Sequence, residues 1–186
     1  LKKPEPSISN WFRDKFPEAA RRPVKALRDE QNMWHYLTQQ LHQNPLHGVP
    51  LFDGQSYDEA RRFLRNATTL VLRDGDRLAR IGDMSDEAFI LLSGTVNILG
   101  RYGSVMARFD KGAVVGEIAY LAATPRTAEI IVTKDAEILV LTQNTFKNVM
   151  SRDPMIANKL LFNLTLILAE RLKVTSQILS NHTQGA

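Results

Sequence analysis

A chain of 186 residues with 44% apolar and 24% charged side chains has the makeup of one globular domain plus an appendage, which excludes a fibrous or wholly disordered protein. Zero cysteines exclude disulfides, thiolate metal sites and a cysteine nucleophile, and they fit a reducing cytoplasm. Lys and Arg exceed Asp and Glu by only 24 to 20, which gives nucleic-acid binding no support, and no apolar run is long enough to span a membrane.

The chain begins at Leu1 rather than Met, the pattern of an excised or processed piece. Residues 1–48 are rich in Arg, Lys, Gln and His and are punctuated by Pro4, Pro6, Pro17, Pro23 and Pro45, which predicts a helical leader. Within it Val24, Leu27, Met33 or Trp34, Leu37 and Leu41 fall near helical spacing after Pro23. A short helix is predicted after "PLFDGQ": Ser56 caps it, Glu59 follows three residues on, and Ala60, Phe63 and Leu64 form its apolar face.

From Ala67 the pattern changes to short runs of Val, Ile, Leu and Thr separated by glycine-containing turns, the signature of an antiparallel sandwich or barrel. Strands are predicted near 68–73, 77–81, 87–92, 95–100, 104–109, 128–133 and 136–141, so the β-region covers about 67–142. Helices return over about 143–182: "QNTFKNVM" is one, and Pro154 opens a long one reaching about Asn181. On the long helix Leu161, Leu164, Leu168, Leu172, Thr175 and Leu179 make one stripe, and Ile156, Leu160, Ile167, Val174 and Ile178 a second. One face can pack on the sheet and the other on a second chain.

The segment "GEIAYLAATPRTAEI", 116–130, interrupts the strands. Gly116 permits close backbone approach, and Glu117 to Ala123 are good helix formers, so a short helix begins there with its first N–H groups unused. Such a start suits an anion. Pro125 ends the helix, Arg126 offers a planar fork of donors to phosphate oxygens, and Thr127 adds a hydroxyl. Glu117 would repel a phosphate, unless the ligand sets a hydroxyl beside a singly charged one, as a cyclic ribose phosphate does. From these residues alone, a simple Glu117–Arg126 pair is the open alternative.

The segment resembles the phosphate-binding cassette of cyclic nucleotide-binding domains: Gly-Glu, a short apolar helix, then Pro-Arg-Thr-Ala. The resemblance runs outward through "PLFDGQSYDEARRFL", "LRDGDRLARIGDMSDEAFILLSGTVNIL" and "AEILVLTQNTFKNVM", covering about 49–182. It implies a mainly β fold, an eight-stranded jelly-roll-like β-roll with N-terminal helices and a long C-terminal helix. The implied ligand is cAMP or cGMP, with no metal. By resemblance Glu117 takes the ribose 2′-hydroxyl, Arg126 and Thr127 take the phosphate, and Gly116, Ile118, Ala119 and Ala128 complete the cradle. "AERLKVTSQILSN" further resembles the long helix of the bacterial catabolite activator protein family. That likeness implies that Thr175 reads the base, Ser176 reaches a partner's pocket in a homodimer, and Arg171 pairs with Glu117.

The expected protein is therefore a non-catalytic cyclic nucleotide sensor, for cAMP by preference, that passes occupancy through its C-terminal helix to an output the sequence does not name. A cGMP-preferring sensor and a ligand-free dimerisation scaffold are the alternatives. A metal-holding β-roll enzyme is disfavoured, because His35, His42, His47 and His182 all lie outside the predicted strands.

Overall fold

The computed structural model describes residues 46, 48–64 and 67–183, so all of the predicted leader except Leu46 and Gly48 lies outside the described residues. A 3₁₀ turn, Pro50–Phe52, leads to α1, Tyr57–Leu64. Its start is the expected reciprocal cap: Ser56 N–H donates to Glu59 Oε2 (2.8 Å) and Glu59 N–H donates to Ser56 Oγ (3.3 Å).

Six strands follow: β1 Thr68–Leu72, β2 Arg77–Ala79, β3 Glu87–Leu99, β4 Val105–Asp110, β5 Val114–Val115 and, after α2 (Glu117–Ala122), β6 Glu129–Thr142. All pairings are antiparallel in the order β1-β6-β3-β4, with β2 also on β6 and β5 on β3. The helices α3, Gln143–Arg152, and α4, Pro154–Thr183, follow and flank the sheet. Thr142 caps α3 by accepting from Thr145 N–H (3.2 Å).

The sequence divides β3 and β6 into four strands, and the structure joins them into two. Ser93-Gly94 reads as a hairpin turn but is a kink inside a continuous strand, where the β3–β6 register shifts. Gly94 has φ 83°, and a Cβ there would lie 2.4 Å from the Asp135 carbonyl oxygen, so the glycine admits the partner backbone and the ladder continues.

The runs "AFILL" and "ILVL" are buried without alternation because both faces of the sheet are covered. Phe89, Leu91, Ile138 and Val140 fill the inside of the roll. Their neighbours Ile90, Leu92, Leu139 and Leu141 face outward, packing with Leu51, Phe52 and Phe63 and with Ile156, Leu160 and Leu164 of α4. Asn163, an interruption in the apolar pattern, is buried and donates from Nδ2 to the carbonyls of Leu51 and Asp53 (2.9 Å each). Lys159 adds bonds to Glu59 and to the Gly54 carbonyl. The first half of α4 is thereby fixed to the roll, and in the second half Leu172, Val174, Ile178 and Leu179 are exposed.

Candidate functional site

A cavity of about 280 Å³ opens between α2, the β3–β4 hairpin and α4. Of the residues singled out in the sequence, Gly116, Glu117, Ile118, Ala119, Arg126, Thr127, Ala128, Arg171 and Thr175 line it. Ser176 does not, being exposed on α4. Its apolar wall is made by Ile98, Met106 and Phe109, residues that sequence reasoning did not single out, although β4 was predicted.

Gly116 forms the entrance to α2 in the left-handed region, φ 78°, where an L side chain is strained. A Cβ there would also lie 2.4 Å from Arg126 Nη1, so the position is closed to side chains on two counts. Its carbonyl accepts from Arg126 Nη1 (2.7 Å). The first N–H groups of α2, on Glu117, Ile118 and Ala119, have no acceptor within their own helix, and these residues line the cavity.

Arg126 is 4% exposed. Its Nη2 donates to Ser85 Oγ (2.5 Å) and to the Glu87 carbonyl (2.6 Å), with the Glu87 carboxylate 3.5 Å away and the Phe89 ring centroid 5.2 Å from the guanidinium carbon. The fork predicted to lie open to the cavity is thus turned partly inward. One donor, Nε, is buried without a partner. Burial pushes the Arg126 guanidinium below its ordinary value, and Glu87, Glu117, Asp83 and Asp86 oppose that shift; the group keeps its proton at neutral pH.

Glu117, also buried, does not pair with Arg126. Arg171 of α4 reaches it with Nη1 (2.6 Å), donates from Nη2 to the Val114 carbonyl (2.5 Å), and stacks over Phe109 at 4.4 Å. One turn on, Thr175 Oγ1 donates to the Arg171 carbonyl (2.9 Å). The cavity therefore presents two cations, one carboxylate, two threonine hydroxyls and an apolar wall to a single small ligand. No cluster of three or more metal-ligating side chains occurs among the described residues.

Residues 69–153 match the family model "Cyclic nucleotide-binding domain". This segment is a cyclic nucleotide-binding domain. The domain has the fold of a cyclic nucleotide-binding domain from Methylobacillus flagellatus KT, with a TM-score of 0.71 and 21% identity over 85% of this chain and 89% of that one. The catabolite activator protein of Thermus thermophilus superposes with a TM-score of 0.61 and 25% identity over 70% of this chain and 62% of that one. Among curated relatives, glutaminase 1 of Bradyrhizobium diazoefficiens is 28% identical over 127 residues, 68% of this chain and 21% of that protein. The cyclic AMP receptor protein of T. thermophilus is 27% identical over 130 residues, 68% of this chain and 58% of that protein. The chain thus spans about a fifth of one relative and somewhat over half of the other. What the comparisons share with this chain is a regulatory, ligand-binding domain.

Proposed function

We propose that the domain is a cAMP sensor in which Arg126 and Thr127 hold the cyclic phosphate within the cradle of Gly116, Ile118, Ala119 and Ala128, and Glu117 accepts from the ribose 2′-hydroxyl. The observation that carries this reading is that one cavity brings together Arg126, Thr127 and Glu117, with the Arg126 Nε–H buried without an acceptor. Leaving a buried donor unsatisfied costs about 1–3 kcal/mol, so an arginine with such a donor gains from any rearrangement on binding that supplies an acceptor. The Glu117–Arg171 pair keeps a carboxylate at the cavity without a net negative charge facing an anion.

Base preference rests on Thr175. Its hydroxyl hydrogen is spent on the Arg171 carbonyl, so its oxygen is left to accept. An adenine amino group donates and fits; the guanine carbonyl accepts and does not. Ser176 lies outside its own cavity, and Leu172 and Leu179 are exposed seven residues apart, a coiled-coil spacing. In this reading two α4 helices pair, Ser176 completes the partner's base site, and occupancy is passed on through α4 to an output beyond the domain.

Calorimetry with cAMP, cGMP and AMP, together with light scattering, tests the proposal. Tighter binding of cAMP than of cGMP by a dimer, with no binding of AMP, is expected. A preference for cGMP would transfer base reading to Thr127, and absence of binding by both cyclic nucleotides would leave a dimerisation scaffold.

A further inference from the structure

Arg126 is held by a loop outside the cassette. Gly82 N–H donates to the Arg126 carbonyl (2.8 Å), and Arg126 N–H donates to the Asp83 carbonyl (2.9 Å). The end of that loop and the first residue of β3 then receive the side chain: Ser85 Oγ and the Glu87 carbonyl both accept from Nη2, and Ser85 in turn donates to Glu87 Oε2. Glu87 is 1% exposed, so its charge near the guanidinium is little screened by water.

We propose that Ser85 and Glu87 set nucleotide affinity by restraining the phosphate arginine. The inference rests on the assignment of Arg126 to the phosphate. The restraint opposes an arriving anion twice, by occupying donors that a phosphate would use and by holding a carboxylate behind them. Glu117 does not have this effect, because Arg171 neutralises it at 2.6 Å. Arg126 and Arg171 face Glu87 and Glu117, and Asp83 and Asp86 also act on Arg126, so the native site offers a cyclic phosphate no net positive charge. Removing the Glu87 charge, which is in direct contact with the guanidinium, lessens the opposition to an anion.

Glu87→Gln keeps the shape of the side chain and removes the charge. By calorimetry it should bind cAMP roughly threefold more tightly or better, and Ser85→Ala should gain by less, in the same direction. A role confined to stability predicts the reverse, weaker binding with a lower melting temperature. In the ligand-free protein, arginine side-chain NMR should show slow rotation of the Arg126 guanidinium that becomes fast in Glu87→Gln. If the native protein binds cAMP and a folded Glu87→Gln protein binds it equally or more weakly, the restraint is overturned while the site assignment stands. Should Glu87→Gln fail to fold, unchanged or weaker binding by Ser85→Ala overturns it. A native protein that binds neither cAMP nor cGMP overturns the site assignment and the restraint together.

Discussion

The surroundings of Arg126 and Arg171 share three parts. Each guanidinium sits by one glutamate, donates to one backbone carbonyl between Val114 and Gly116, and lies over one phenylalanine. They differ in origin. Arg126 belongs to the roll and its side chain is 3% exposed, whereas Arg171 reaches in from α4, 54 residues after its glutamate, and its side chain is 26% exposed. The same three partner types thus make an internal fixture in one place, where Ser85 and the Glu87 carbonyl add to them, and a tie between helix and roll in the other. The first survives movement of α4, and the second depends on where α4 lies.

The largest test of that contrast is Arg126→Ala. Loss of one partner from a desolvated charge pair with phosphate costs roughly 2–5 kcal/mol, so cAMP affinity measured by calorimetry should fall more than tenfold with the fold retained. Unchanged affinity would place the phosphate elsewhere. Next is the ribose. A hydrogen bond to a charged group contributes about 1.5–3 kcal/mol, so 2′-deoxy-cAMP should bind the native protein at least tenfold more weakly, and Glu117→Gln should narrow that gap. Equal binding of the two nucleotides by the native protein would remove Glu117 from ligand recognition.

Arg171→Ala should act on the helix more than on the phosphate. Discounted for partial exposure, loss of the pair with Glu117 should lower stability by about 1–2 kcal/mol in denaturant unfolding, and hydrogen exchange should quicken around residues 165–180. If exchange there stays at the native rate, α4 is held by its packing and not by the arginine. The smallest effect concerns another polar tie of α4, Lys159 to Glu59. The Ser56 N–H, followed by Lys159, lowers the Glu59 pKa from 4.5 to about 2. A depressed carboxylate stabilises the fold above its unfolded pKa and loses that contribution as pH falls through the folded one, so the loss runs from about pH 4.5 to 2. Glu59→Gln should flatten the melting temperature over that window, and an unaltered acid profile would assign it to other groups.

The cap at Ser56 and Glu59 and the short helix after Gly116 were legible because their partners lie within a few residues. The cavity lining was legible in large part through the resemblance of the cassette and of the Arg171–Thr175 helix turn. Residues 87–99 and 129–142 misled, since a Ser-Gly pair reads as a turn and only the opposing Asp135 backbone reveals the kink. Ser85 and Glu87 carried no signal at all. They stand 41 and 39 residues from Arg126, and an acidic residue ahead of an apolar run reads as a solvated strand entry. The exposure of α4 beyond Leu172 was equally unreadable, because an apolar stripe does not tell which of its turns meets the roll.

β6 pairs with β1, β2 and β3, so it is the hub of the sheet, and it comes last among the strands. During synthesis β1 and β2 therefore wait for a partner until residues 129–142 have been made. Pairings this distant in sequence are entropically costly to close and slow folding toward the millisecond-to-second range. The apolar runs of β3 are exposed over that interval, which makes the half-made chain the stage most vulnerable to aggregation, and truncation ahead of Thr142 more damaging than loss of the far end of α4.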